Sequence, residues 1–106
     1  IINKGGIDMR HAYKQFIQLF KSGQFDDIYH QTSDSFKSQY SMDAFHRQAS
    51  AFHHGIRRYR LLNEMVLNGN RYVLWSDSRK EKLLYVQFNH ANEIASIQMT
   101  VTSSSK

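Results

Sequence analysis

Six histidines and six tyrosines are the side chains with the widest chemical scope here. Imidazole titrates near neutrality and binds metals, and phenol can steady an oxyanion. Their spacing narrows that scope. His46 and His53 are seven residues apart and His53 adjoins His54, whereas zinc is gripped from one helix by histidines at i and i+4. His11, His30 and His90 fall in other segments. No metal site is expected, and the histidines read as surface residues whose titration, outside a cell, would change the charge of the domain. Ser103 and Lys106 stand at the Ser-x-x-Lys spacing of a serine nucleophile with a lysine beside it. They lie in a polar tail, with no helix to hold them in register. No Gly-x-Ser-x-Gly, phosphate-binding glycine loop or His-Glu-x-x-His occurs. The chain has no cysteine, which removes disulfides and thiolate zinc sites while leaving the compartment open. No catalytic residue and no cofactor is assigned on these grounds.

A chain of 106 residues, 41% of them hydrophobic, is one domain with a core of its own. No apolar run approaches the roughly 20 residues of a membrane helix. The start at Ile1 reads as a fragment or processed form, whose upstream part would be the place for a signal peptide or lipid anchor. A net charge of +5 favours acidic partners such as nucleic acid, anionic cell-wall polymer or lipid head groups. The basic residues are scattered, with denser spots at Arg57, Arg58 and Arg60 and at Arg79, Lys80 and Lys82. No nucleic-acid reader motif accompanies them, so nucleic acid is not the expected partner.

The elements that must carry these side chains can be read in order. Residues 1–7 read as a disordered lead-in or linker remnant. Asp8 is expected to cap a helix with Met9, Ala12, Tyr13, Phe16, Ile17 and Phe20 on one face, stopped by Gly23. Phe25, Ile28, Tyr29 and Thr32 share a face of a second, short helix, with Asp26 and Asp27 in its first turn. A polar corner at 32–35 follows, and Phe36 and Tyr40 point back as single anchors. Ser41 caps a third helix carrying Met42, Phe45, Ala49 and Phe52, which Gly55 closes. Strands are expected at 56–67, 71–76, 82–88 and 94–102, with turns at 68–70, 77–80 and 90–93. In the last strand Ala95, Ile97, Met99 and Val101 alternate with Ser96, Gln98 and Thr100, so one face is buried and one wet. Residues 103–106 are a tail. Helices followed by an antiparallel meander give an α+β fold over residues 8–102, with three N-terminal helices on a curved four-stranded sheet.

This order resembles the cone-shaped fold of the nuclear transport factor 2-like and cystatin-like proteins. The likeness is stronger to small bacterial members, often extracytoplasmic, and rests on FKSGQFDDIYHQTSDSFKSQYSMDAF, residues 20–45. There an aromatic residue and glycine precede Phe-Asp and a tyrosine, then a Ser/Thr, acid, Phe corner and a helix opened by Ser-x-x-x-Phe. The resemblance implies a noncatalytic accessory or interaction domain, secreted or at a bacterial cell surface, with the cytoplasm left open. It would be free-standing or attached to a larger enzyme such as a serine hydrolase.

A cone between sheet and helices would be lined by Phe16, Phe20, Tyr29, Phe45, Phe52, Trp75 and Phe88, with Val73 and Val86. Concave apolar sites of this kind take small molecules or peptides, but in so small a domain the expectation is that the rings fill the space. With Val73, Trp75, Leu84, Val86 and Phe88 inward, the period of two turns Tyr72, Leu74, Leu83 and Tyr85 outward. That is more apolar surface than a monomer exposes, so a homodimer or docking onto a neighbouring domain is expected. The alternative is a small ketosteroid isomerase-like enzyme or small-molecule binder, since enzymes of that kind share the resembled fold. It would need a carboxylate base, from Asp26, Asp27 or Glu64, and a phenol from Tyr13, Tyr29 or Tyr40.

Overall fold

A computed structural model of the protein describes residues 4–102, with side chains from Ala12 onward. In order come α1 (Lys4–Lys21), α2 (Phe25–His30), α3 (Asp34–Gln39), α4 (Met42–His53), β1 (Arg60–Leu67), β2 (Asn70–Ser76), β3 (Lys82–Phe88) and β4 (Ile94–Val101). The strands form one antiparallel sheet in the order β1-β2-β3-β4. Helices lead and strands follow, so the architecture is α+β, with four helices among the described residues rather than three. None of these helices is long and apolar enough to cross a membrane.

The helix boundaries follow local chemistry. α1 begins at Lys4, so Asp8 lies inside it rather than at its cap, and residues 4–7 belong to it rather than to a lead-in. Two glycines and the absence of an apolar period before Met9 hide that first turn from the sequence pattern. The side chains of Asp8, Met9 and His11, and the tail with Ser103 and Lys106, lie outside the described residues. Gly23 ends α1 at φ 76°. The Gln24 N–H donates to the Leu19 carbonyl at 2.9 Å and the Gly23 N–H to that of Phe20 at 3.2 Å, the paired bonds of a left-handed helix stop.

The polar corner proves to be a helix. The Ser33 side chain accepts from the Phe36 N–H at 3.2 Å and so caps α3, which buries Phe36. Six residues span too few turns to show a period, which is why the capping residues are legible and the helix is not. Ser41 caps α4 by accepting from the Ala44 N–H at 3.1 Å.

Beyond one-residue shifts at the start of β2 and the end of β4, the sheet departs from expectation at two places. β1 starts at Arg60, not Ile56, because Arg60 pairs with Ser76, the last residue of β2, and the chain before it has no ladder partner. Ile56 and Tyr59 pack against the core instead. In β4, Gln87 pairs with Ser96 but Phe88 with Ile94, which leaves Ala95 as the extra residue of a bulge. Ile94, not Ala95, therefore joins Ile97 and Met99 on the helix side. The β1–β2 hairpin turns through Asn68 at φ 54° and Gly69 at φ 83°. Two successive left-handed residues match the twist of the flanking strands, and glycine adopts that conformation without steric cost.

The helices cover the sheet face that carries Val73, Trp75, Leu84, Val86 and Phe88, all 3% exposed or less. Between them runs a chain of rings. Trp75 stacks on Phe16 at 5.4 Å and Phe16 on Phe20 at 5.6 Å. Phe20 meets Phe25 edge-on at 5.2 Å, and Phe25 meets Phe45 at 6.4 Å. Replacing Phe20, which is 0% exposed, by alanine is expected to cost about 3–5 kcal/mol in urea denaturation, from lost burial plus the cavity left behind. Ser33→Ala, which removes only the α3 cap, should cost about 1 kcal/mol in the same experiment.

Candidate functional site

The residues expected to line a cone come together as one packed cluster. Phe16, Phe20, Phe45, Trp75 and Phe88 are 3% exposed or less, and Phe52 is 6% exposed. Tyr29 is half-buried; its ring lies 6.1 Å from that of Phe45, and its hydroxyl donates to the Tyr40 carbonyl at 2.7 Å. These rings occupy one another's contact surfaces. Open space lies to one side instead, in a groove of about 640 Å³ between α4 and the free edge of β4. Phe45 and Phe52 reach it, with Tyr40, Ala51, Lys82 and residues 97–101. No common pattern in the sequence marks these residues. The one local signal is the small Ala51 on a helix whose neighbouring turns bury Phe45 and Phe52.

Tyr72, Leu74, Leu83 and Tyr85 lie on the other side of the sheet, half-buried and outside the core cluster. Tyr72 stacks on Tyr85 at 6.3 Å, the diagonal pairing that an antiparallel ladder permits. Register extends this face. Met65, 49% exposed, lies opposite Tyr72, and Asn63 opposite Leu74. Gln87, Ser96, Gln98 and Thr100 continue it across β3 and β4. Arg60, at the start of β1 beside Ser76, is the single charged strand residue whose ladder pairing places it on this side. In a chain that is 22% charged, a face so nearly free of charge is the strongest departure from an ordinary wet surface.

Of the tyrosines and carboxylates considered for acid–base work, one pair meets. The Tyr13 hydroxyl donates to Glu64 Oε1 at 2.9 Å, and Arg71 pairs with the other carboxylate oxygen. The Arg71 guanidinium also lies 5.8 Å from the centre of the Tyr13 ring. Both carboxylate oxygens are therefore engaged, in an arrangement that ties α1 to the β1–β2 hairpin. Asp26 meets His46 Nδ1 at 3.1 Å on an exposed surface, and Asp27 is exposed on α2. No group of three or more His, Cys, Asp or Glu side chains gathers among the described residues.

His53 is the histidine set most firmly into the structure. Its ring stacks on Tyr59 with 13° between planes, and Nδ1 lies 2.8 Å from the Tyr59 hydroxyl. Burial pushes the imidazole below its usual 6.5, with the Lys82 charge adding to the effect and a hydrogen bond with the Lys21 backbone opposing it. Burial, and then the Asp77 charge, drives the Tyr59 phenol upward.

The sign of the pH effect follows from this depression. As pH falls through about 6.5 the unfolded chain takes up a proton that the folded imidazole still refuses, so stability present at neutral pH is lost toward acid. Urea midpoints of the wild type and His53→Gln, compared from pH 7.5 down to 5, should show a steeper acid loss in the wild type. Parallel profiles would show that His53 is not responsible. Set against known proteins, the chain matches no protein-family model, no curated protein and no solved structure.

Proposed function

We propose that the protein is a noncatalytic interaction domain of the nuclear transport factor 2-like kind, which pairs through the outer face of its sheet. The observation that carries this reading is the nearly charge-free face with Tyr72, Leu74, Leu83, Tyr85 and Met65. Apolar surface of this extent is stabilised when it is covered, and the scarcity of charge lets two such faces meet without stranding an ion. The partner is a second copy of the chain or a neighbouring domain. A place outside a bacterial cytoplasm, free-standing or appended to a larger enzyme such as a serine hydrolase, follows from the sequence resemblance alone.

The ketosteroid isomerase-like alternative is the weaker reading. A general base must face the bound substrate, whereas Glu64 is tied to Tyr13 and Arg71 at the junction of α1 and the first hairpin, Asp26 and Asp27 are exposed on α2, and none of the three lines the groove. The interior of the cone is likewise the weaker place for a ligand, because its rings pack on one another.

Analytical ultracentrifugation tests the pairing. The wild type should form dimers at submillimolar concentration, and Leu74→Lys or Tyr85→Lys should each weaken them by about 2 kcal/mol, some thirtyfold in Kd. A wild type that stays monomeric across that range removes the second copy as partner. Docking onto another domain would then have to appear when that domain is supplied, with the same two substitutions breaking it.

A further inference from the structure

We infer that the groove between α4 and β4 takes an extended peptide, added as a fifth strand antiparallel to β4, with acidic residues leading an apolar stretch. This site opens on the helix side of the sheet, shares only Gln98 and Thr100 with the outer face, and does not depend on pairing there. β4 is an edge strand with β3 on its other side. The loop before α3 covers its start, where Ser33 N–H donates to the Ile94 carbonyl and Ile94 N–H to that of Gln31. Past Ile94 no backbone hydrogen bond reaches β4 from that side among the described residues. An edge of this kind presents unpaired N–H and C=O groups, and the groove runs beside them along residues 97–101. Five strand residues extend about 17 Å, the reach of one short segment. Ile97 and Met99 form the floor, with Tyr40 and Ala51 on the facing wall. A strand in that position finds main-chain bonds on one side and apolar pockets for alternate side chains below.

Charge identifies the end of the peptide. At the Val101 end stands Lys82, whose Nζ donates to the carbonyls of Phe52 at 2.8 Å and His54 at 3.3 Å. Lys82 also walls a second, polar recess of about 390 Å³, lined by Arg57, Arg58 and Arg79 with Asp77 and Glu81. No ion pair engages these three guanidiniums among the described residues. Asp77 is held by the backbone N–H groups of Glu81 and Lys82, which partly offsets its charge. The apolar groove therefore opens at Lys82 into an excess of unpaired cations. Guanidinium forks suit carboxylates. Antiparallel pairing is the more stable of the two directions, and it brings the N-terminal end of the guest to Lys82. A fatty acid would match the same polarity of groove and charge. It has no groups to pair with the β4 edge, and that separates the two occupants.

The probe is a fluorescent peptide of three aspartates followed by alternating valine and threonine, titrated against the full chain by anisotropy and by amide NMR shifts. The expected result is saturable binding that weakens with salt, with shifts concentrated at residues 96–101 and at the end of α4. Arg58→Glu combined with Arg79→Glu, both exposed, should raise Kd about tenfold. Ala51→Trp, at an exposed position that overhangs the groove, should abolish binding while leaving the NMR spectrum folded. Methylating alternate backbone amides of the peptide should also abolish it. The proposal is overturned by equal binding of the N-methylated peptide, by tighter binding of laurate at the same shifts, or by no binding of the acidic peptide at millimolar concentration.

Discussion

Phe20 is the residue through which the helical layer is joined. Its ring contacts those of Phe16 on its own helix, Phe25 on α2, Phe52 and His53 on α4, and Tyr59 on the strand approach. Three helices and a connecting segment thus converge on one side chain with no exposed surface. Phe16 then links this hub to the sheet through Trp75 and Phe88. α2 has six residues and α3 has six, too few to be stable alone. They persist because Phe25, Ile28 and Phe36 reach into the same aromatic packing.

A core filled in this way decides where polar chemistry can stand. Groups that need hydrogen bonds are displaced to the junctions between layers, and each junction has its own tie. Tyr13, Glu64 and Arg71 join α1 to the first hairpin. His53 and Tyr59 fasten the end of α4 to the chain entering β1. Lys82 fastens the same helix end to the start of β3. Single exposed pairs contribute little, but these ties lie partly under cover, where leaving a partner unsatisfied is costly. They fix how the helices sit on the sheet more than they add to its stability.

Much of this was legible in the sequence, for reasons tied to particular residues. β3 runs over the expected span, and Asn68 with Gly69 makes the expected hairpin, because strong alternation and left-handed turn residues act locally. The outward direction of Tyr72, Leu74, Leu83 and Tyr85 followed from the period of two. What escaped depends on distant partners. The start of β1 is set by where β2 ends, and the bulge at Ala95 by the position of Phe88 across the ladder. That the rings fill the interior was expected from the small size of the domain, and they do. The groove beside β4 was invisible because its walls come from α3, α4, the residues between them, and two strands, which no spacing joins.

The two surfaces left open differ in kind because the sheet has two faces and two edges. The outer face is broad, nearly free of charge and already partly self-covered by the stacked tyrosines, which suits a flat partner meeting it side chain to side chain. The β4 edge is narrow, rich in unpaired main chain and flanked by cations, which suits a partner recognised through its backbone and its charge. The groove opens on the helix side of the sheet and shares only Gln98 and Thr100 with the outer face. β1 closes the opposite edge with Leu61, Leu62, Val66 and Leu67 exposed, and Glu64, its one acidic side chain, is turned inward to Arg71. An edge strand of that composition invites pairing unless something covers it. Cover over the adjoining outer face, where Met65 already points, would shield part of this edge as well, so pairing and protection of the edge would draw on the same apolar surface.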